Sequence, residues 1–210
     1  MTAGYAAIVL AGGGGRRLGG RDKPALPVGG RSMLHRVLDA LAGASPRVVV
    51  GPSRPDLPPD VRQVREQPPG GGPVAALAAG LAALDAGPGQ GGGGDPALVA
   101  VLAADLPFLT AADVDVLRRA AAAGDHDGAV LVDSGGRQQW LCGVWRADAL
   151  RARLAGLGPL AGQSMRIVVA GLRPCEMDRR EVTGPPPWYD CDTEDDYRRA
   201  MEWGGHESAR

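Results

Sequence analysis

The stretch AIVLAGGGGRRLGGRDKPALPVGG, residues 7–30, passes from an uninterrupted apolar run into glycine and positive charge. An apolar run without polar alternation suits a strand buried on both faces. The glycines that follow expose backbone N–H groups and let phosphate oxygens approach the main chain closely. Next, residues 32–43 place Met33, Leu34, Val37, Leu38 and Leu41 at helical spacing, with Gly43 as the expected C-cap. Residues 47–51 (RVVVG) read as a second strand. Strand, glycine loop, helix and strand make a βαβ unit, which implies a parallel sheet.

The alternation continues along the chain. Residues 61–66 read as a weak third strand, 74–85 as an Ala/Leu helix, and 97–105 as the longest buried strand. A helix over 110–124 opens with Thr110 as N-cap and Asp113 in a capping-box arrangement. Residues 128–133 read as a strand, 136–147 as a strand or hairpin, 147–158 as a helix, and 165–172 as an amphipathic segment. A last helix over 193–205 opens at Thr193. No period of 20–50 residues repeats. The expected fold is α/β, a single doubly wound, mostly parallel sheet. It is expected to form one domain over residues 1–205, with a mobile Gly/Pro-rich loop at 86–96 and a short tail at 206–210. In such sheets ligands sit outside the carboxyl ends of the strands. Three features are expected there: the glycine loop, Asp105, and the acids that follow the tryptophan-containing strand.

Composition narrows the function classes. Apolar residues make up 44% of the 210, enough for a sizeable core, but aromatics are only 4%, so that core must be Ala, Leu and Val. A net charge of −1 gives no reason to expect nucleic acid or a membrane surface as partner, so any cationic site must be local. The chain lacks the roughly 20-residue apolar stretch of a membrane span, and its first residues lack signal-peptide character. Cys142, Cys175 and Cys191 form no CxxC pair, which points away from disulfides and structural zinc and towards reduced thiols in a cytoplasm. His35, His126 and His206 have no metal-ligand spacing.

Two common nucleotide motifs fail on specific residues. Lys23 is followed by Pro24, so the GxxxxGK[ST] phosphate loop is absent. A dinucleotide fold would want an acid after the second strand, where Gly51, Pro52 and Ser53 stand. What remains is Leu10-Ala11-Gly12-Gly13, then Arg17-Leu18-Gly19, then Asp22-Lys23, then Leu26-Pro27-Val28-Gly29-Gly30. This series resembles the signature of the molybdenum cofactor guanylyltransferases and related nucleotidyltransferases: LAGG, R-M-G, D-K and L-P-x-x-G. Further matches follow. Gly72-Pro73-Val74-Ala75-Ala76 is similar to the family's G-P-L-A-G, and Asp105-Leu106-Pro107-Phe108-Leu109 to its D-x-P-x-L. Residues 136–154 are similar to the family's R-x-Q-P-L-x-G-x-Y-R region, with Trp140 in place of Pro. Residues 189–197 are similar to N-x-N/D-T-P-E-D-L, with Asp190 and Asp192 for the polar pair and Glu194 for Pro.

The resemblance implies a Rossmann-like nucleotidyltransferase fold and Mg²⁺-dependent transfer of a nucleotidyl group from GTP, or another NTP, to a phosphorylated acceptor such as molybdopterin. It also implies contact with molybdoenzyme maturation proteins. The backbone from Leu10 and Ala11 through Gly12 and Gly13 would hold nucleoside and phosphates, with Ser53, Glu66 and Gly72 nearby. Arg17 and Lys23 would neutralise phosphate charge. Asp105 and Asp192, less directly Asp190, would supply hard oxygen ligands to Mg²⁺. Gln138, Gln139 and Asp190 would face the acceptor. Cytidylyltransferases of the same fold, and a non-catalytic nucleotide-binding module, stand as alternatives. Each residue also has a plainer reading. Asp105 alone fits a turn acid, Gln138 and Gln139 fit a solvated surface, and residues 190–196 fit an acidic helix start. Arg16 and Arg21 are read as solvated bystanders.

Overall fold

A computed structural model describes residues 4–13, 18–86, 96–179 and 184–207, with side chains through 205. Arg16, Arg17, nearly all of the loop expected at 86–96 and most of the tail lie outside the described residues. The central strand β1 (Ala6–Leu10) is buried at every position. It pairs in parallel with β4 (Arg47–Val50) on one side and β6 (Leu98–Ala103) on the other. A strand with neighbours on both edges and helices on both faces has no solvated side, which is why its sequence shows no alternation.

The sheet runs β5-β4-β1-β6-β8-β7-β9, with β5 at Val61–Val64, β7 at Gly128–Val132, β8 at Gln138–Arg146 and β9 at Pro174–Asp178. Only β8 runs against the rest: it is antiparallel to both β6 and β7, while β9 is parallel to β7. The sheet is therefore mixed but largely parallel. The stretch 136–147 forms one long strand, not a hairpin. Its pairing with β7 jumps from Val130↔Gly143 to Leu131↔Gln139, so residues 140–142 bulge past β7. The strand β9 carries no sequence signal of its own, because its residues are half-buried or exposed and include Glu176 and Asp178.

Helices cover both faces. On one, α1 (Met33–Ala40) and α3 (Ala111–Ala122) bring Leu34, Val37, Leu38, Val114 and Leu117 onto Ala7 and Val9 of β1. On the other, α2 (Gly72–Asp85), α4 (Ala147–Ala155) and α5 (Met165–Val169) bring Leu77, Leu81, Leu150 and Val168 onto Ala6 and Ile8. Neighbouring residues of β1 thus feed opposite cores, as the two-residue period of a strand requires. The helix α2 lies so close that a Cβ at Gly80 would fall 2.6 Å from Ile8 Cγ2. Leu to Ala changes in such cores cost about 2–5 kcal/mol.

The caps follow the sequence. Ser32 Oγ accepts from His35 N at 3.3 Å, and Thr110 and Asp113 exchange both bonds of a capping box. The first helix is shorter than expected: it ends at Ala40, with Leu41 as its C-cap, and Gly43 keeps an ordinary backbone. The amphipathic 165–172 resolves into the short α5. Ahead of α1, β2 (Pro27–Val28) and β3 (Arg31–Ser32) form a hairpin whose turn places Gly29 and Gly30 at φ +59° and +79°. Two successive positive φ values are what a tight I′ hairpin demands, and glycine supplies them without strain. The closing helix α6 (Glu194–Glu207) lies on this hairpin. Thr193 opens it with a capping box to Asp196, and Tyr197 Oη donates to the Pro27 carbonyl at 2.9 Å.

Candidate active site

The strand order reverses direction between β1 and β6. The chain first moves outward from β1 through β4 to β5, then returns to place β6 on the other side of β1. At such a switch point the loops leaving neighbouring carboxyl ends diverge and open a crevice. A cleft of about 810 Å³ sits there. The loop after β1 contributes Gly12 and Gly13, the residues after β6 contribute Asp105, and the start of α2 contributes Gly72.

Lys23 is the centre of this cleft. It lies in a one-turn 3₁₀ helix, Lys23–Ala25, made from the chain returning after the glycine loop. Its Nζ contacts Asp105 Oδ2 and also Asp192 Oδ1, the latter at 2.6 Å, although Asp192 is 169 positions away in sequence. Burial alone would push the lysine pKa down. The charges of Asp105 and Asp192, and their hydrogen bonds, outweigh it and hold the ammonium above the ordinary lysine value. Asp190 lies beside the pair. Desolvation, then the negative charges of Asp192 and Asp105, raise its carboxyl pKa, with Lys23 opposing.

The acid from the far end of the chain is brought in by a small separate core. Phe108, just after Asp105, meets Tyr189 and Trp203, with ring centroids 6.1 and 5.6 Å away, and Tyr189 meets Trp203 at 4.9 Å. Cys191 is fully buried among them with Val28, Met33 and Ala200. Burial, then the charge of Asp105, pushes its thiol up to about 12. Arg21, read from sequence as a bystander, pairs with Glu194 and lies 5.4 Å from the Tyr197 ring, so it ties the loop to α6.

Of the nucleotide-site and metal-site residues expected from sequence, Leu10, Gly12, Gly13, Lys23, Glu66, Gly72, Asp105 and Asp192 line the cleft. Ala11 is buried behind it. Ser53 is exposed and outside the lining, where its neighbour Pro52 stands instead. Glu66 is 6% exposed; its Oε1 accepts from Gly70 N at 2.9 Å, and its Oε2 is buried with no hydrogen-bond partner. Gln138 and Gln139 lie outside this cleft. Their amide nitrogens donate to Glu176 at 2.7 Å and to Asp133 at 2.9 Å. Sequence reasoning missed Arg54, Arg65 and Leu141. Arg65 and Leu141 line the cleft, and Arg54 is buried behind the loop. One signal in the sequence did mark the centre: Lys23 is the single lysine of a chain that otherwise uses arginine. Its compact ammonium meets two carboxylates at once, a geometry different from that of a planar guanidinium fork.

The donors suit a hard cation. Asp105 Oδ1 is buried and has no hydrogen-bond partner, and the other carboxylates nearby offer only oxygen. Among the described residues no group of three or more His, Cys, Asp or Glu side chains is arranged to hold a metal by itself. One or two carboxylates suffice for Mg²⁺ when phosphates and water complete the shell. No helix of the described residues is long and apolar enough to cross a membrane.

Comparison with known proteins agrees with this geometry. The model of the MobA-like NTP transferase domain matches residues 7–179. A probable molybdenum cofactor guanylyltransferase of Mycobacterium tuberculosis H37Rv is 34% identical, over 82% of this chain and 88% of that protein. A molybdenum cofactor guanylyltransferase of Mesorhizobium japonicum is 36% identical, over 72% of this chain and 73% of its own length. The crystal structure of molybdopterin-guanine dinucleotide biosynthesis protein A from Archaeoglobus fulgidus superposes with a TM-score of 0.67. It covers 94% of this chain and 97% of that one, at 19% identity, which bears on fold alone. The chain belongs to the MobA-like NTP transferase family and has the Rossmann-like architecture of nucleotidyltransferases.

Proposed function

We propose that this protein is a Mg²⁺-dependent guanylyltransferase that joins GMP from GTP to the terminal phosphate of molybdopterin carrying molybdenum, with release of pyrophosphate. The observation that carries the reading is Lys23 held between Asp105 and Asp192 beside a glycine-rich loop, at the switch point of the sheet. The similarity to two guanylyltransferases at 34% and 36% identity supports the choice of nucleotide and acceptor.

The reaction forms one bond from an acceptor phosphate oxygen to the α-phosphorus and breaks the bond from that phosphorus to the pyrophosphate oxygen. Negative charge builds on the equatorial oxygens and the leaving group, so catalysis needs position and positive charge more than covalent chemistry. The Leu10–Gly13 backbone carries the nucleoside and phosphates, with no Cβ at Gly12 or Gly13 to hold them off. Lys23 exchanges its carboxylate partners for phosphate oxygens and neutralises charge as it builds. Arg17 adds a second cation from the glycine loop. Asp105 and Asp192 would hold Mg²⁺, with Asp190 beside them. The chemistry the ion would supply is Lewis-acid stabilisation of the phosphate oxygens. Glu66, with one oxygen committed to Gly70 and the other buried and unpaired, offers an acceptor to donor groups of the nucleoside. Asp190, beside Lys23, is assigned to the acceptor side, while Gln138 and Gln139, bonded to Glu176 and Asp133 outside the cleft, take no part in it.

The test is a panel of GTP, CTP, UTP and ATP, each with and without Mg²⁺, assayed by melting temperature and then by pyrophosphate release with loaded molybdopterin. GTP with Mg²⁺ at about 100 times its Kd should stabilise by roughly 2.7 kcal/mol, a rise of several degrees. Product mass should increase by one GMP. A preference for CTP would move the enzyme to the cytidylyltransferases. Nucleotide binding that ignores both Mg²⁺ and Asp105→Ala would indicate a non-catalytic module.

A further inference from the structure

Arg54 is one of the few buried charged side chains among the described residues, at 8% exposure, and it lies in the loop between β4 and β5. Its guanidinium grips Asp22 with both terminal nitrogens, Nη1 to Oδ2 at 2.6 Å and Nη2 to Oδ1 at 2.7 Å. Nη2 also reaches the Ala11 carbonyl oxygen at 3.4 Å. Ala11 is the last residue of the chain entering the glycine loop, and Asp22 is the first of the turn that carries Lys23. One side chain therefore spans both ends of the loop.

The loop that carries Arg54 is itself pinned. The Arg54 amide donates to Gln63 Oε1 at 3.0 Å, and Gln63 Nε2 donates to the Pro52 carbonyl, so β5 fixes both sides of the bend. Gly51 N donates to Val64 O at 2.9 Å. A Cβ at Gly51 would fall 2.8 Å from the Ala11 carbonyl, which shows how tightly this bend sits against the loop's entry. On the far side, the Asp22 carbonyl accepts from Ala25 N at 3.0 Å and so closes the one-turn helix that holds Lys23. The line of support runs from β5 through Arg54 and Asp22 to Lys23. A bidentate pair fixes angle as well as distance. Asp22 occupies both terminal nitrogens, Nε is buried without a partner, and the side chain does not line the cleft, so the guanidinium is not presented to a ligand there.

We propose that Arg54 is a positioning residue: it acts through Asp22 to set where Lys23 Nζ stands, and it holds the two ends of the glycine loop together. The inference rests on the nucleotidyl-transfer reading for its catalytic consequence, but its structural half is readable without any substrate. Lys23 is the single lysine, so protein grown with ¹³C-lysine carries one side-chain ε-methylene signal. That signal should stand apart from the position of free lysine in the native chain and move towards it in Arg54→Gln and in Asp22→Asn. The double variant Arg54→Met/Asp22→Asn removes the buried charge and its partner together, so it keeps the fold where Asp22→Asn alone leaves a buried guanidinium uncompensated. It should show the same displaced signal. In turnover, misplacement of Lys23 by about 1 Å should lower kcat/KM about 100-fold in Arg54→Gln, with the double variant no worse than the single. An unmoved lysine signal in the folded variants would overturn the proposal, as would losses that add in the double variant. A native protein that transfers no nucleotide would instead sink the transferase reading, and the lysine signal would still decide what Arg54 does.

Discussion

The two halves of the sheet use their polar residues in opposite ways. The strands β5, β4, β1 and β6 are parallel and open their carboxyl ends into one crevice, where Glu66, Lys23 and Asp105 collect with an orphaned oxygen on each of the two acids. In the other half β8 runs against its neighbours, and the polar residues at its start bond to the protein: Gln138 to Glu176, Gln139 to Asp133, and Trp140 Nε1 to Gln138 at 2.9 Å, whereas the Trp145 Nε1 deeper in the strand is buried without a partner. Asp133 further accepts from the amides of Gly135 and Arg137, both at 2.9 Å. Unpaired acid oxygens beside a cleft can take a ligand, and polar groups bonded within the protein build turns and register.

The strongest way to break this comparison is at its centre. Lys23→Ala should lower kcat by on the order of 10³-fold or more while the circular dichroism melt stays cooperative, and Lys23→Arg should rescue little. Full activity in Lys23→Ala would remove the centre from the crevice. Phe108→Ala should come next. It opens the aromatic cluster that holds the 189–192 segment, with a stability loss of about 3–5 kcal/mol in urea unfolding. It should also lose Mg²⁺-dependent nucleotide binding beyond what that destabilisation explains. In the other half, Gln139→Ala should cost about 1 kcal/mol and leave kcat within a few-fold. A kcat loss above 10-fold with unchanged stability would put Gln139 on the acceptor and erase the contrast.

The smallest effect concerns pH. Burial first, then neighbouring charge, pushes the Cys191 thiol up to about 12 and the Tyr189 hydroxyl up to about 12, from ordinary values of 9.0 and 10.0. Tyr5, Tyr197 and Lys23 are also raised. Each such group holds its proton more tightly folded than unfolded, so its contribution is complete below the unfolded value and is lost as pH rises. The melting temperature should therefore fall progressively above about pH 9, as melts from pH 7 to 11 would show. Cys175 should react with a thiol reagent at pH 8 before buried Cys142 and Cys191.

The parallel half was legible in the sequence because its strands are buried on both faces, its caps use standard residues, and its chemistry lies where strands end. Asp105 follows from that logic alone, whereas Lys23 was singled out by the D-K spacing of the family resemblance. Asp192 needed the family resemblance, since nothing local says that an acid beyond residue 190 returns to a loop near residue 20. Arg54 was invisible for the opposite reason: an arginine among prolines reads as solvent-exposed, and only the fold shows it buried against Asp22. The bulge at 140–142 and the short α5 were blurred because each depends on what lies opposite.

β9 went unread for a reason that has its own consequence. It is the last strand at one edge, and an edge with open main-chain hydrogen-bonding groups invites another chain to add a strand. Here that edge begins with Pro174 and turns Glu176 and Asp178 outward, while the opposite edge, β5, is four residues long and carries Arg62. A proline, two carboxylates and a short reach are poor templates for strand addition. The residues that hid β9 from a sequence reading also discourage the sheet from growing into an aggregate.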